Sequence, residues 1–425
     1  MTTVPVEPAR RKAVMLTVFV TIFLDLLGFG LIIPVLPFYA ESFGARPSVV
    51  TWLGSVYSLM QLVFAPFWGR LSDRVGRRPV MLVSIFASVV GYGLLGFAGS
   101  LWMLFLARAL SGFGNANIAT AQAAIADVTP PQDRAKGMGL VGAAFGLGFI
   151  FGPAIGGLLG QWGPNAPALF AAGLAVCNLL LAWFIFPETR QHDNVARVRQ
   201  SGLTALRTAS AVRGVPSVLG ASLILSCGFS MIEQTLALLM EAVWVVGAPP
   251  GGLGLAPGTA EAHRAGAGLT AGFLVVVGLT AAVVQGGVVG RLTPKVGEPR
   301  LIFTGFSILA VGLYLVPVLA ATAPYQAMFL VAICLAAGTG LATPSLNSLL
   351  SRRSSGDVQG AALGMGQSAS ALGRVVGPGV SGWLFEAWAG LPFVTGATLM
   401  LAGALSFWRS ERRLLTSPSA RPDVA

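Results

Sequence analysis

Charged side chains are scarce in this chain. They make up only 10% of its 425 residues, whereas hydrophobic side chains make up 55%. A soluble globular chain carries about 25% charged residues, and a disordered chain is polar and rich in charge, so both classes are excluded. Two runs, 137–187 and 301–351, contain no Asp, Glu, Lys or Arg. A transmembrane helix needs about 20 apolar residues, so each run holds two helices, and the sequence predicts a polytopic α-helical membrane protein.

Residues that carry chemistry are few as well. The three cysteines, Cys177, Cys227 and Cys334, lie in apolar runs, which favours packing over disulfide formation. Both histidines, His192 and His263, lie outside the predicted helices, so a histidine proton relay or a metal site is not expected. The sequence contains no nucleotide-binding loop of the Gly-xxxx-Gly-Lys-Ser/Thr type and no nucleophile–base pattern. These absences argue against ATP as the energy source, against an enzyme and against a bound cofactor.

Twelve transmembrane helices are predicted, and basic residues give their orientation. Of the 27 Arg and Lys residues, 23 lie at the termini or in alternate loops, and short loops rich in these residues stay cytoplasmic. Both termini are therefore predicted to be cytoplasmic, and the basic charge fixes topology instead of binding nucleic acid. The predicted helices are 13–40, 48–69, 79–98, 101–127, 135–160, 166–187, 215–245, 265–290, 300–320, 324–350, 358–388 and 391–409.

An internal repeat divides these helices into two bundles. Residues 136–157 match 361–382 at seven of 22 positions, and 69–80 match 290–301 at five of 12. The two alignments have nearly the same offset along the chain. Two bundles related by a parallel repeat are the architecture of major facilitator transporters. The predicted domains are a six-helix bundle over 1–190, a cytoplasmic linker over 191–214, and a second six-helix bundle with a short tail over 215–425.

The loop after helix 2 reads Gly69-Arg-Leu-Ser-Asp73-Arg74-Val-Gly76-Arg77-Arg78-Pro79. It resembles the cytoplasmic loop signature of the major facilitator superfamily along its whole length. Its glycines permit a tight turn, and one acid stands among four arginines. The resemblance implies that Asp73 contacts cations and a helix N-terminus of the other bundle when the inside is closed. A solvated basic loop that only fixes topology is the alternative.

The resemblance adds Asp127, at the inner end of helix 4, to this cluster; helix capping is the alternative role for it. In the repeat, Asp73 corresponds to Pro294 and Arg77 to Glu298, so the second copy is expected to have lost the charge pattern. The predicted cytoplasmic gate consists of Gly69, Asp73, Arg74, Gly76, Arg77, Arg78 and Asp127.

Helix 5 carries glycines at 148, 152 and 156, which lie on one helix face and permit close contact between backbones. Pro153 bends the helix. The pattern resembles a motif of drug:proton antiporters that is generally missing from symporters. Its predicted members are Gly148, Gly152, Pro153, Gly156 and Gly157.

Three further segments resemble the tetracycline-resistance branch of these antiporters. They begin at Leu24-Asp25-Leu-Leu-Gly28, Ser58-Leu-Met-Gln61 and Ile125-Ala126-Asp127. The resemblance extends over the predicted first bundle, 1–190, and the second half is similar to the superfamily only.

Four charges lie deep within predicted helices, and a charge at mid-membrane costs at least about 2.5–3.5 kcal/mol on insertion scales. The predicted proton-coupling residues are accordingly Asp25, Arg108, Glu233 and Arg374. A structural ion pair is the alternative for Glu233 and Arg374, and pairing of Asp25 with Arg108 is left open. Arg108 stands where the family has an Arg-xx-Gln-Gly pattern, but here Ser111 replaces the glutamine.

These features predict a monomeric antiporter in the bacterial inner (plasma) membrane, which exports a drug-like or tetracycline-like molecule in exchange for protons by alternating access. Protons, the small-molecule substrate and the lipid bilayer are its expected partners. A proton-coupled symporter or facilitator of a metabolite, and a non-transporting receptor on the same fold, are the alternatives. The polar and charged residues predicted to line the substrate cavity are Asp25, Gln61, Asn117, Gln122, Glu233, Asn347 and Gln367.

Overall fold

The computed structural model describes residues 8–129, 134–189, 208, 210–247, 252–354 and 359–416. Across these residues the chain is helical and contains no β-strand. The helices of the first half are α1 (Pro8–Ile32), α2 (Leu36–Glu41), α3 (Pro47–Val75), α4 (Arg77–Gly96), α5 (Leu101–Gly114), α6 (Ile118–Val128), α7 (Arg134–Gly160) and α8 (Ala166–Ile185). Those of the second half are α9 (Val215–Ser230), α10 (Ile232–Met240), α11 (Ala260–Val283), α12 (Val289–Val296), α13 (Glu298–Thr322), α14 (Met328–Arg353), α15 (Gln359–Ala387) and α16 (Leu391–Thr416).

Nine helical segments of the described residues are long and apolar enough to cross a membrane. The predicted helices outside that set are 101–127, 135–160 and 358–388. Two of them are single continuous helices: 135–160 corresponds to α7, with 27 residues, and 358–388 corresponds to α15, with 29 residues. The third is divided between α5 and α6 by a 3-10 turn over Asn115–Asn117. Asparagine side chains compete with the helix backbone for hydrogen bonds, and both asparagines of this turn bond to other helices.

The seventh and eighth predicted helices also differ from expectation. The seventh is α9 followed by α10 and a π-helical stretch, Glu241–Val246. The eighth begins at Ala260 instead of residue 265, because Thr259 Oγ1 accepts a hydrogen bond of 3.2 Å from the Ala262 N–H and caps the helix. The prediction that His263 lies outside the helices is therefore wrong: it occupies the first turn of α11.

The described chain forms two compact units. Of the described residues, the first contains α1 to α8 together with Leu236–Gly247 and Leu253–Gly278. The second contains α9, the start of α10 up to Thr235, and the described chain from Leu279 onwards. Two of the boundaries between these segments, after Thr235 and after Gly278, fall inside the seventh and eighth predicted helices. The division of the chain into bundles at residues 190 and 215 stays a prediction.

Glycines bring helices together in the same way in both units. In the first, α7 packs against α1, and a Cβ built at Gly148 would lie 3.0 Å from Leu27 N. In the second, α15 packs against α9, and a Cβ at Gly373 would lie 2.6 Å from Leu223 O. Gly148 and Gly373 are partners in the sequence repeat, so the repeat recurs as a helix pair.

Candidate functional site

A buried acid lies in the first span. Asp25 of α1 is 9% exposed, and its Oδ2 accepts a hydrogen bond of 3.2 Å from Asn117 Nδ2. The same amide nitrogen donates to Ser84 Oγ on α4 at 3.0 Å. Asn117 is the last residue of the 3-10 turn between α5 and α6, so the break in the helix positions the side chain that contacts Asp25. Two predicted cavity residues, Asp25 and Asn117, are in direct contact.

A second polar network adjoins the first through the same turn. Asn115 Nδ2 donates to Tyr57 Oη at 3.1 Å, and Asn115 Oδ1 accepts from Ser88 Oγ at 2.8 Å. Gln61 Nε2 donates to Tyr57 Oη at 3.1 Å. Sequence reasoning included Gln61 but missed the other three residues. A signal was available for Ser88 only, because Ser84 and Ser88 are four residues apart on α4 and residues at that spacing share one helix face.

Arg108 of α5 is buried at 3% exposure. Its guanidinium carbon lies 4.3 Å from the ring centroid of Tyr57 and 5.7 Å from that of Phe29. A cation over an aromatic face is attracted by the ring quadrupole, and the attraction is larger where water is excluded. The aromatic side chains thus help to hold the buried charge.

The other residues predicted for proton coupling and for the substrate cavity are distributed over both units. Glu233 and Arg374 are half-buried in the second unit, and Gln122 is half-buried in the first. Asn347 and Gln367 are exposed. Their roles in proton coupling and in the substrate cavity stay predictions.

At the end of α3, the predicted gate residues form a compact cluster, here called the Arg77 cluster (Asp73, Arg77 and Asp127). Arg77 Nη1 lies 2.7 Å from Asp73 Oδ1, and Arg77 Nε lies 3.1 Å from Asp127 Oδ2. The Arg77 guanidinium also donates to Ser72 Oγ at 2.6 Å. Arginine suits this position because its planar fork can bind two carboxylates at once. The contact expected for Asp127 is present, and its role in a gate stays a prediction.

Two further gate residues, Gly76 and Arg78, shape the start of α4, whereas Gly69 and Arg74 lie in the last two turns of α3. Gly76 adopts φ +110°, which other residues rarely adopt, and this turn aims the first N–H groups of α4 at Glu188. Glu188 Oε1 accepts from the Arg77 N–H at 2.8 Å and Oε2 from the Arg78 N–H at 3.1 Å. Arg78 itself donates to Trp183 O at 2.6 Å. A carboxylate at a helix N-terminus is stabilising, and sequence reasoning missed Glu188 because it lies 111 residues from Arg77.

The Arg77 cluster has a charge-reversed counterpart in the second unit. Glu298 Oε1 lies 2.7 Å from Arg352 Nη1 and accepts from Ser348 Oγ at 3.1 Å. Glu298 is the repeat partner of Arg77, and the offset that aligns 136–157 with 361–382 also carries Asp127 onto Arg352. The second copy therefore keeps one ion pair of the pattern with the signs exchanged, whereas the counterpart of Asp73, Pro294, carries no charge, as expected.

The antiporter-motif glycines face other helices at contact distance. A Cβ at Gly148 would lie 2.6 Å from Leu26 Cβ, and one at Gly156 would overlap the backbone of Leu31. Gly157 faces Ala271 of α11. Pro153 lies inside α7, and its ring approaches Gly30. The motif is thus a packing surface for α1 and α11 within the first unit.

Three titratable residues that sequence reasoning did not connect meet at the other end of α3. His263 Nε2 lies 3.9 Å from Glu41 Oε2 and 3.7 Å from Glu241 Oε1. Glu41 lies on α2, outside the candidate spans, and burial raises its pKa to about 7. No local motif marks this group, because its members come from three separate segments.

Comparison with known proteins identifies the family. A model of the Major Facilitator Superfamily matches residues 18–258 and 252–423. The chain belongs to the Major Facilitator Superfamily. The predicted family and the all-α polytopic membrane fold are thereby confirmed.

Several relatives of this major facilitator protein are named for drug resistance. The tetracycline resistance protein of class E from Escherichia coli is 34% identical over 394 residues, which cover 91% of this chain and 92% of the relative. Multidrug resistance protein 2 of Bacillus subtilis (strain 168) is 26% identical over 93% of this chain and 94% of the relative. The similarity to tetracycline resistance proteins therefore extends well beyond the predicted first bundle, to which sequence reasoning had confined it.

Solved structures agree with this fold. The human organic anion transporter MFSD10 superimposes with a TM-score of 0.67 at 25% identity, covering 95% of this chain and 100% of that one. A bacterial homolog of the human lysosomal transporter Spinster, inward-facing and occupied, gives 0.75 at 15% identity, covering 99% and 100%. The second likeness concerns the fold alone.

Proposed function

We propose that this major facilitator protein exports a drug-like small molecule, of the tetracycline class in the first place, in exchange for protons. The observation that carries the proposal is the buried Asp25, held by Asn117 in the first unit. An ionisable group inside a span is costly and marks ion pathways and proton relays. The names of the relatives, which include tetracycline and multidrug resistance proteins, supply the substrate class.

In this mechanism Asp25 carries the transported proton. When it is ionised, its carboxylate accepts the hydrogen bond from Asn117; when it is protonated, the charge that this bond stabilises is gone. The protonation state of Asp25 is thereby linked to the packing of α1 against the turn between α5 and α6. Alternating access then exposes the substrate to each side of the membrane in turn.

We also infer the oligomeric state, the membrane and the orientation of the protein. The protein acts as a monomer in the bacterial inner (plasma) membrane, with both termini in the cytoplasm. The basic residues of alternate loops support that orientation. The Arg77 cluster then lies on the cytoplasmic side, where it stabilises the closed inner gate.

Transport into everted membrane vesicles tests the proposal. With an acid interior, we expect the vesicles to accumulate tetracycline and to release protons as it enters. Dissipating the pH gradient should abolish accumulation. A susceptibility panel in an efflux-deficient host would extend the substrate range. Uptake that requires an alkaline interior, so that substrate and protons enter together, would support a symporter. Absence of any transported compound would support a receptor.

A further inference from the structure

The inference concerns three side chains at the end of the first unit opposite the Arg77 cluster. They come from three segments: Glu41 from α2, Glu241 from the π-helical stretch after α10, and His263 from the first turn of α11. One ligand atom from each lies within 4.8 Å of the other two. The group therefore converges on a single point, although Glu41 is far from the other two members along the chain.

Glu241 is the member that needs an explanation. Its side chain is 8% exposed, and its nearest polar partner among the described residues is His263 Nε2 at 3.7 Å, which is too far for a hydrogen bond. Two other buried glutamates are compensated directly by arginines: Glu298 by Arg352, and Glu411 by Arg353. A buried carboxylate without such a partner is costly. Glu241 instead shares one histidine with a second carboxylate.

We propose that Glu41, Glu241 and His263 form a binding site for a divalent transition-metal ion, with Zn²⁺ as the best match. An imidazole and carboxylates are ligands that Zn²⁺ takes, commonly three from the protein with water in the fourth position. A divalent cation balances the charge of two carboxylates and leaves the histidine neutral, as ligation requires.

The geometry is close to that of a bound site. Ligand atoms about 2.0–2.1 Å from a tetrahedral ion are separated by roughly 3.3–3.4 Å. The two distances from His263 Nε2, 3.9 and 3.7 Å, exceed this by about half an ångström, which side-chain rotation supplies. Glu41, whose side chain is 26% exposed, leaves an entry path for the ion.

The surroundings hold the imidazole in place. The ring of His263 stacks on Phe38 with centroids 5.6 Å apart and an interplanar angle of 23°. Phe38 belongs to a buried apolar cluster with Val35, Ala237 and Ala267. A hydrophobic shell around a metal site limits the access of water to it. A bound ion would tie α2, the Glu241 segment and α11 together.

Zinc titration of the full chain in lipid nanodiscs, after removal of metals with a chelator, tests the site. Isothermal calorimetry should show saturable binding of one Zn²⁺ per chain. We expect Glu41→Gln, Glu241→Gln and His263→Gln each to weaken it about tenfold or more, since even partners beyond the ligands contribute that much. Glu261→Gln, an exposed acid on the same helix, and His192→Gln should leave the affinity unchanged.

A spectroscopic measurement on the unmodified chain covers the case in which a variant fails to fold. X-ray absorption of the Zn²⁺ complex should show one imidazole and otherwise oxygen ligands. The proposal is overturned if Zn²⁺ does not bind at millimolar concentration, if the bound ion has no imidazole ligand, or if His192→Gln abolishes binding while His263→Gln does not. Because binding is measured without transport, the result is independent of the proposed export function.

Discussion

Asn117 Nδ2 lies 3.2 Å from Asp25 Oδ2, so the one acid of α1 is tied to the break in the fourth predicted helix. The contact joins two residues 92 positions apart, and it couples a titratable group to an interruption in helical geometry. Such an interruption leaves backbone groups that can rearrange at little cost, whereas a continuous helix would have to break hydrogen bonds.

Replacement of Asp25 by Asn should abolish proton-coupled export. An amide keeps the size and polarity of the side chain but cannot exchange a proton near neutral pH. We expect accumulation of substrate in everted vesicles to lose its dependence on the pH gradient, while exchange of labelled for unlabelled substrate continues without a gradient. Membrane insertion should be unaffected. The matched control is Glu261→Gln, which removes an exposed acid; full gradient-driven efflux by Asp25→Asn would refute the role of Asp25.

Replacement of Arg77 by Lys should weaken the Arg77 cluster although the charge is kept. An ammonium group cannot reproduce the fork that reaches Asp73 and Asp127 together. Loss of one charge-assisted hydrogen bond costs about 1.5–3 kcal/mol. Cysteine probes on the cytoplasmic side of the protein should become more accessible, and transport should fall.

The control for this change is Arg70→Lys. Arg70 is exposed and donates only to Pro66 O within its own helix among the contacts described, so we expect normal transport. Asp73→Asn should resemble Arg77→Lys. If accessibility and transport are unchanged in both variants of the cluster, the loop serves topology alone.

The charge-reversed pair of the second unit allows a swap experiment. Glu298→Arg places a second cation beside Arg352, and Arg352→Glu places a second acid beside Glu298. Each single variant should reduce the amount of folded protein, and the double variant should recover part of the loss. Because Arg352 is 70% exposed, the recovered coupling should be small, about 0.2–1 kcal/mol. Thermal unfolding of the detergent-purified variants measures it, and strictly additive losses would show that the two residues do not interact.

Local patterns predicted the helices and the family, but not the contacts between distant segments. Low charge and long apolar runs identify spans because lipid offers the backbone no hydrogen-bond partners. The loop of Gly69 to Pro79 and the glycines of α7 are local motifs, so their members were found. Asp127 was added from resemblance, and the structure places it against Arg77.

Four features were not predicted from local sequence patterns, and each has a physical reason. Glu188 caps α4 from 110 residues away, and no signal in either segment records the pairing. The Asn115–Asn117 turn lies in an apolar run whose composition fits a continuous helix. His263 was excluded from the helices because the Gly- and Pro-rich loop before it hides the capping role of Thr259. The exchanged signs of Glu298 and Arg352 look like a lost motif when residues are compared one by one.

Replacement of Gly152 by a larger residue should damage transport through the contact of α7 with α1. A Cβ at this position would lie 2.8 Å from Gly30 Cα and 2.9 Å from Leu27 O, both backbone atoms that cannot rotate away. Overpacking typically costs about 1–3 kcal/mol, so Gly152→Ala should reduce transport and Gly152→Leu should reduce it further. A Cβ built at Gly146, on the same helix, meets no described atom within 4 Å outside its own stretch of α7, and its replacement by alanine or leucine should be tolerated.

Transport at matched expression, together with proton leak in the absence of substrate, compares the two positions. Leak is expected only for the Gly152 variants, because a displaced α7 opens the packing around α1, which carries Asp25. Equal activity at both positions, without leak, would show that the close approach of α7 to α1 is not required for transport.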